Sequence, residues 1–217
     1  MFDAAAARRM MVDGQIRTAD VTDPDLIAAM QALPRELFVP SALAVQAYRD
    51  GEIGLGNGRA MLRPMVLAKL IQAANVRRGD NVLDVGCGTG YSAAVLARLG
   101  ASVVALEEDA KLALAAEGAL AAADASQVRL VKGPLTAGWL AAAPYDVILL
   151  AGGIEIVPNA LGDQLKPEGR LTAIFGSGPG GKAKIYRRIE GRLVGRPTFE
   201  ASAPVLPGFA AAPTFVF

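Results

Sequence analysis

Residues 82–91 read Val-Leu-Asp-Val-Gly-Cys-Gly-Thr-Gly-Tyr, and no other stretch restricts the architecture as much. Val82, Leu83 and Val85 make a short apolar strand, the kind that a parallel sheet covers on both faces. Gly86, Gly88 and Gly90 follow, and then Tyr91 to Leu99 carries a helical pattern. Glycine has no Cβ and tolerates positive φ, so a ligand can approach bare backbone there. The helix directs its first N–H groups towards the same place. Strand, glycine-rich turn and helix start together predict a nucleotide-type ligand site at the carboxyl end of a strand.

The glycine spacing narrows the ligand. The dinucleotide fingerprint G-x-G-x-x-G would need its third glycine where this chain has Tyr91. Here the order is G-x-G-x-G, with Asp84 two residues ahead of it. A second strand, Ser102 to Leu106, ends in Glu107 and Glu108, and Glu107 lies 21 residues beyond Gly86. A carboxylate at about that distance can accept hydrogen bonds from both hydroxyls of a ribose. Asp84, the three glycines and Glu107 together resemble the class I S-adenosylmethionine-dependent methyltransferases. The resemblance implies S-adenosyl-L-methionine as cofactor. The alternative is a tight strand-to-helix turn that holds no ligand.

The rest of the chain supplies a matching frame. Residues 4–16, 24–33 and 64–74 read as helices, with Thr22-Asp23-Pro24 and Pro64 as start signals. Residues 35–63 read as one long connection. From Asn81 onward strands (82–86, 102–107, 128–132, 145–151, 170–175) alternate with helices (91–99, 109–123, 158–165). That order predicts a mostly parallel, Rossmann-like α/β sheet with helices on both faces. Residues 184–190 and 192–200 read as an antiparallel hairpin turning at Glu190-Gly191, and 215–217 as a last edge strand. With no linker or repeat in view, residues 1–217 read as one domain. Residues 1–75 form its helical cap and substrate-side loop, and 76–217 its cofactor-binding sheet.

Composition excludes several chemistries. The 217 residues include no histidine, which removes the commonest general base and metal ligand. The single cysteine, Cys87, can form no internal disulfide and reads as a small packing residue between ligand-loop glycines. No metal site is expected. Net charge is +1 and there is no basic run, so no nucleic-acid partner is expected. No apolar stretch reaches the ~18 residues of a membrane span, and no secretory leader is legible; a cytoplasmic protein is expected. Chemistry must then run on positioning, carboxylates, backbone groups and a cofactor. Methyl transfer to an already ionised nucleophile meets that condition.

Several separate segments, in order, resemble the protein-L-isoaspartate (D-aspartate) O-methyltransferases. They are Arg9-Met10-Met11-Val12-Asp13-Gly14-Gln15-Ile16-Arg17, Leu33-Pro34-Arg35-Glu36-Leu37-Phe38-Val39-Pro40, Gly138-Trp139, Ala143-Pro144-Tyr145-Asp146-Val147-Ile148 and Gln164-Leu165-Lys166-Pro167. The resemblance implies carboxyl methylation of isoaspartyl residues in damaged proteins. It implies a peptide or protein substrate with an isoaspartyl or other acidic group. It also implies a cofactor set of Asp84, Gly86, Cys87, Gly88, Gly90, Tyr91, Glu107, Glu108, Leu135, Met61 and Leu62.

Two positions depart from the resembled pattern. Aligned on Gly58 and Pro64, the family's Gly-Gln-Thr-Ile-Ser-Gln-Pro becomes Gly58-Arg59-Ala60-Met61-Leu62-Arg63-Pro64. The hydroxyls are gone, no catalytic side chain remains at Leu62, and reduced or altered activity is expected. An acid expected near the adenine amino group is Pro134. Arg59 and Arg63 are candidate partners for an acidic substrate, since arginine matches a carboxylate bidentately; the plainer alternative is solvated loop charges. Trp139 reads as a core anchor beside the site. Three readings stay open: the isoaspartyl enzyme, a methyltransferase with another acceptor, and a non-catalytic binding protein on the same scaffold.

Overall fold

The computed structural model describes residues 2–176 and 178–212. The chain opens with α1 (Ala4–Met11), whose N-cap Asp3 accepts from the Ala6 N–H at 2.9 Å. The expected helix over 4–16 does not stay α-helical. It widens into a π turn over Val12–Ile16, around Gly14, a weak helix former. Then α2 (Pro24–Ala32) starts on Asp23, which accepts from two backbone N–H groups.

The connection over 35–63 proves to be built rather than irregular. Two 3₁₀ turns, Arg35–Phe38 and Ser41–Gln46, lead into a hairpin of β1 (Ile53–Gly56) and β2 (Arg59–Met61). Its two-residue loop is Asn57-Gly58, with φ of 51° and 70°. This is the pair that a tight two-residue β-turn demands. α3 (Pro64–Ala74) follows directly, with proline at its first position.

The remaining elements are β3 (Asn81–Val85), α4 (Tyr91–Arg98), β4 (Ser102–Glu107), α5 (Ala110–Ala122), β5 (Arg129–Lys132), β6 (Tyr145–Ile154), α6 (Asn159–Asp163), β7 (Leu165–Phe175), β8 (Lys182–Ile189) and β9 (Arg192–Glu200). Seven strands form one sheet in the order β5-β4-β3-β6-β7-β8-β9. The first five are mutually parallel, and β8 and β9 are antiparallel, as expected. The expected helix over 158–165 is a single short turn. β7 begins at Leu165, because Lys166–Gly169 loops out between Leu165 and Arg170 in the pairing with β6. The expected edge strand over 215–217 lies outside the described residues. No helix among the described residues is long and apolar enough to cross a membrane.

Strand alternation divides the core in two. Val82, Val103, Ala105, Val147 and Leu149 face the layer of α1 to α5. Leu83, Val85, Val104, Leu106, Ile148 and Leu150 face the other side, where α6 is short and the C-terminal segment supplies Leu206 and Phe209. Each such valine, leucine or isoleucine side chain stabilises the fold by about 1.5–3 kcal/mol. The C-terminal segment is seated on β6: Gly153 N–H donates to Pro204 O at 2.9 Å, and Leu206 N–H to Gly153 O at 2.8 Å. A Cβ on Gly153 would stand 2.5 Å from the carbonyl oxygen of Ala203. Gly153→Ala is therefore expected to lift this segment and cost about 1–3 kcal/mol, the usual range for forced overpacking. Urea denaturation of the variant checks this, and a loss under 0.5 kcal/mol would contradict the seating.

Candidate functional site

β3 lies where the connections diverge, with β4 on one side and β6 on the other. Crevices at such switch points, beyond the carboxyl ends of the strands, are where open α/β sheets bind ligands. Gly86, Gly88 and Gly90 turn the chain there, with φ of 72°, 59° and 93°. Their surroundings differ. A Cβ on Gly90 would meet Leu120 of α5 at 3.1 Å, so Gly90 serves helix packing. A Cβ on Gly86 would meet Leu206 Cδ2 at 2.9 Å and Arg59 Nη2 at 3.1 Å, and one on Gly88 would meet Leu55 at 2.9 Å. The two glycines facing the crevice thus receive side chains from distant parts of the same chain.

Glu107, at the end of β4, is 0 % exposed. Its Oε2 accepts from Gly88 N–H at 2.8 Å, and its Oε1 from the N–H groups of Glu108 and Asp109, each at 3.0 Å. Arg59 completes the set. Its Nη1 donates to Oε1 at 2.7 Å and its Nη2 to Oε2 at 3.0 Å, while Nη2 also donates to Gly86 O at 2.9 Å. The hairpin turn explains the reach: Asn57 Nδ2 donates to Asp109 Oδ2 at 2.9 Å and pins the loop beside α5. Arg59, at 6 % exposure, is neither a solvated charge nor open to a substrate carboxylate. Both expectations for it give way to this buried pair. Arg63 is exposed at the start of α3.

Around this pair the loop is tied down. Ser92 Oγ donates to Asp84 Oδ2 at 2.6 Å. Burial pushes the Asp84 carboxyl up to about 7, with the Glu107 carboxylate adding to the rise and the Ser92 bond and the Arg59 guanidinium holding it back. Burial likewise pushes the Cys87 thiol up, in keeping with a packing role. Tyr91 is buried, edge-on to Phe38 and beneath the Arg35 guanidinium, which stands 4.7 Å from its ring centre. Arg35 in turn donates to Leu62 O at 2.7 Å, and Thr89 Oγ donates to Phe38 O. The Leu33–Pro40 segment therefore braces the glycine loop from outside.

Met61, Leu62, Gly86, Cys87, Gly88 and Tyr91 come together on one cavity. Glu108 and Leu135 stand apart from it. Glu108 is exposed and accepts from the Leu135 N–H at 3.3 Å, while the Leu135 side chain is fully buried. Trp139 packs against the second core. Leu55, Ser92 and Leu206 were not picked out from the sequence. Ser92, one position into α4, could have been found as a donor to Asp84; Leu206 carried no local signal.

The donor set fits an adenosyl group. Glu107 accepts from three backbone N–H groups beside a glycine turn and a helix start. The cavity lined by Leu55, Gly86 and Gly88 has only ≈ 20 Å³ free, room for about one water, and Arg59 and Leu206 stand against the face of Gly86. Burial disfavours the Cys87 thiolate, and Asp84 is fully buried and bonded to Ser92, so what the site offers is binding, orientation and exclusion of water.

A family model described as protein-L-isoaspartate(D-aspartate) O-methyltransferase matches residues 6–200. The protein-L-isoaspartate O-methyltransferase of Methylorubrum extorquens is 45% identical over 190 residues, covering 88% of this chain and 82% of its own. That of Methylorubrum populi is 41% identical over 218 residues, covering 98% and 100%. A solved protein-L-isoaspartate O-methyltransferase superimposes with a TM-score of 0.80 at 25% identity, over 93% of this chain and 66% of that one. A Plasmodium falciparum protein solved with S-adenosyl-L-homocysteine shares the fold, with a TM-score of 0.79 at 16% identity over 92% and 97%.

The raised Asp84 carboxyl makes stability depend on pH. Its value of about 7 lies above the ordinary 3.8, so it favours the folded state fully below about pH 4 and loses that contribution as pH rises through 7. Asp84→Asn is expected to gain stability relative to wild type by up to about 1 kcal/mol per pH unit across that window, levelling off above it. Urea denaturation at pH 5, 6, 7 and 8 measures this, and a pH-independent difference would refute it.

Proposed function

This chain belongs to the protein-L-isoaspartate(D-aspartate) O-methyltransferase family, and we propose that it is an S-adenosyl-L-methionine-dependent enzyme that esterifies isoaspartyl carboxylates in peptides and proteins. One observation carries the reading. Glu107 closes β4 beside the glycine turn with its carboxylate fixed by three backbone N–H groups. That is the placement a ribose acceptor needs. Asp84, Gly86, Gly88 and Glu107 would hold the cofactor. Cys87, Gly90 and Tyr91 would shape the loop beneath it, and Met61 and Leu62 would form the wall towards the substrate. Glu108 and Leu135 would border the adenine side, where Pro134 offers neither a carboxylate nor an N–H.

Bound there, the cofactor supplies a sulfonium methyl group that a carboxylate oxygen can attack. The chain's part is orientation and exclusion of water. An isoaspartyl carboxylate is ionised at neutral pH and needs no base, which suits a chain with no histidine. Orientation alone can supply roughly 7–11 kcal/mol. Arg63, exposed at the start of α3, is the remaining cation of that segment for an acidic substrate. Residues 1–75 would serve as the substrate-side cap and 76–217 as the cofactor sheet of one domain.

Leu62 is buried on the cavity wall and offers an approaching carboxylate no donor. Turnover is therefore expected to be slow. Leu62→Ser should raise kcat/KM on an isoaspartyl peptide about 2- to 10-fold, the worth of one hydrogen bond of about 0.5–1.5 kcal/mol. The test is calorimetric titration with S-adenosyl-L-homocysteine, followed by labelled-methyl transfer to isoaspartyl and aspartyl versions of one peptide. Binding with transfer to the isoaspartyl form alone supports the reading. Binding with no transfer, in wild type and in Leu62→Ser with Ala60→Thr, would overturn the acceptor.

A further inference from the structure

Arg59 occupies the hydrogen-bonding positions on Glu107 that the proposed function gives to a ribose. The contact is bidentate, 2.7 and 3.0 Å, between a guanidinium 6 % exposed and a carboxylate 0 % exposed. The same guanidinium lies against the open face of Gly86, bonded to its carbonyl and 3.1 Å from where a Cβ would stand. Leu206 fills the other side of that face. The neighbouring cavity, lined by Gly86 and Gly88, has ≈ 20 Å³ free, too little for a nucleoside.

Two features make Arg59 displaceable. β1 and β2 form a sheet of their own, outside the seven-stranded sheet, so a shift of Arg59 breaks no ladder bond of that sheet. Glu107 also keeps its three backbone donors when Arg59 leaves. It is then not stranded as an unpaired buried charge, the condition that makes breaking such pairs costly.

We propose that Arg59 is an internal competitor for the cofactor: its guanidinium and the ribose hydroxyls exchange on Glu107, and this exchange sets the affinity of the site. The inference rests on Glu107 being the ribose acceptor. A charged fork holds a carboxylate more strongly than two neutral hydroxyls do. The binding-competent arrangement is therefore a minor one, and the apparent affinity falls by the fraction of time that Arg59 is away.

The test is calorimetric titration of full-length protein with S-adenosyl-L-homocysteine, with thermal unfolding to confirm that each variant is folded. Arg59→Gln is expected to bind about tenfold tighter or more than wild type, as for a competent state populated at 10% or less. Arg59→Lys, which keeps the charge but cannot make the fork, is expected to fall between them; it also carries the measurement should Arg59→Gln fail to fold. On a Glu107→Gln background Arg59→Gln is expected to give no further gain over Glu107→Gln alone, whereas a general loosening of the crevice would give the same gain on either background. Equal or weaker binding by folded Arg59 variants overturns the inference while leaving the cofactor site standing. No binding by wild type or any variant overturns both.

Discussion

A buried carboxylate is costly in a fold unless its lone pairs are met where it stands. Glu107 meets that condition through three segments that are distant in sequence. The glycine turn offers the Gly88 N–H, the start of α5 offers two more, and the β1–β2 hairpin brings the Arg59 guanidinium. Each segment needs its own local reason to be there. Positive φ at Gly86 and Gly88 turns the chain back over the strand end. Asp109 caps α5, which brings the preceding N–H groups into line. The Asn57-Gly58 turn then aims the next residue, Arg59, inward. Remove the carboxylate and these three segments lose their common partner.

The two faces of the sheet are unequal, and the site inherits that asymmetry. On one face α1 to α5 close over Val82, Val103 and Val147. On the other, the cover beyond α6 comes from 3₁₀ turns and from the C-terminal segment carrying Leu206 and Phe209. The segment sits close because Gly152 and Gly153 present bare backbone to it. The crevice is consequently roofed by two short pieces from opposite ends of the chain, the hairpin and the C-terminal segment. Both are anchored by buried side chains, Ile53 and Met61 in the hairpin and Leu206 and Phe209 in the C-terminal segment.

Electrostatics follow from the same packing. Asp84, Glu107 and Arg59 lie close together in a dry region, with two acids to one cation. The balance is struck unequally. Glu107 receives the arginine fork, whereas Asp84 receives one hydroxyl bond from Ser92, and burial drives its carboxyl up to about 7. The unpartnered Asp84 Oδ1 marks the same shortfall. Absence of histidine leaves this acid as the group in the site that titrates nearest neutral pH.

The amino-acid sequence by itself determined the sheet, the glycine turn and the family. These depend on local rules: apolar runs of strand length, caps such as Asp23 and Asp109, and a carboxylate 21 residues beyond Gly86. The hairpin was also written locally, in Asn57-Gly58, though it stood inside what read as a long connection. Only the tertiary structure decided what each site residue faces. Gly90 turns to Leu120 and Gly86 to Arg59 and Leu206, although all three glycines look alike in sequence. Arg59 read equally well as a solvated charge or a substrate clamp, because a single arginine carries no local mark of its partner. Its pairing with Glu107 spans 48 positions, and Leu206 reaches the glycine turn from still further along the chain. Contacts at such separation are set by how the sheet, the hairpin and the C-terminal segment pack together, and no periodicity or spacing encodes them.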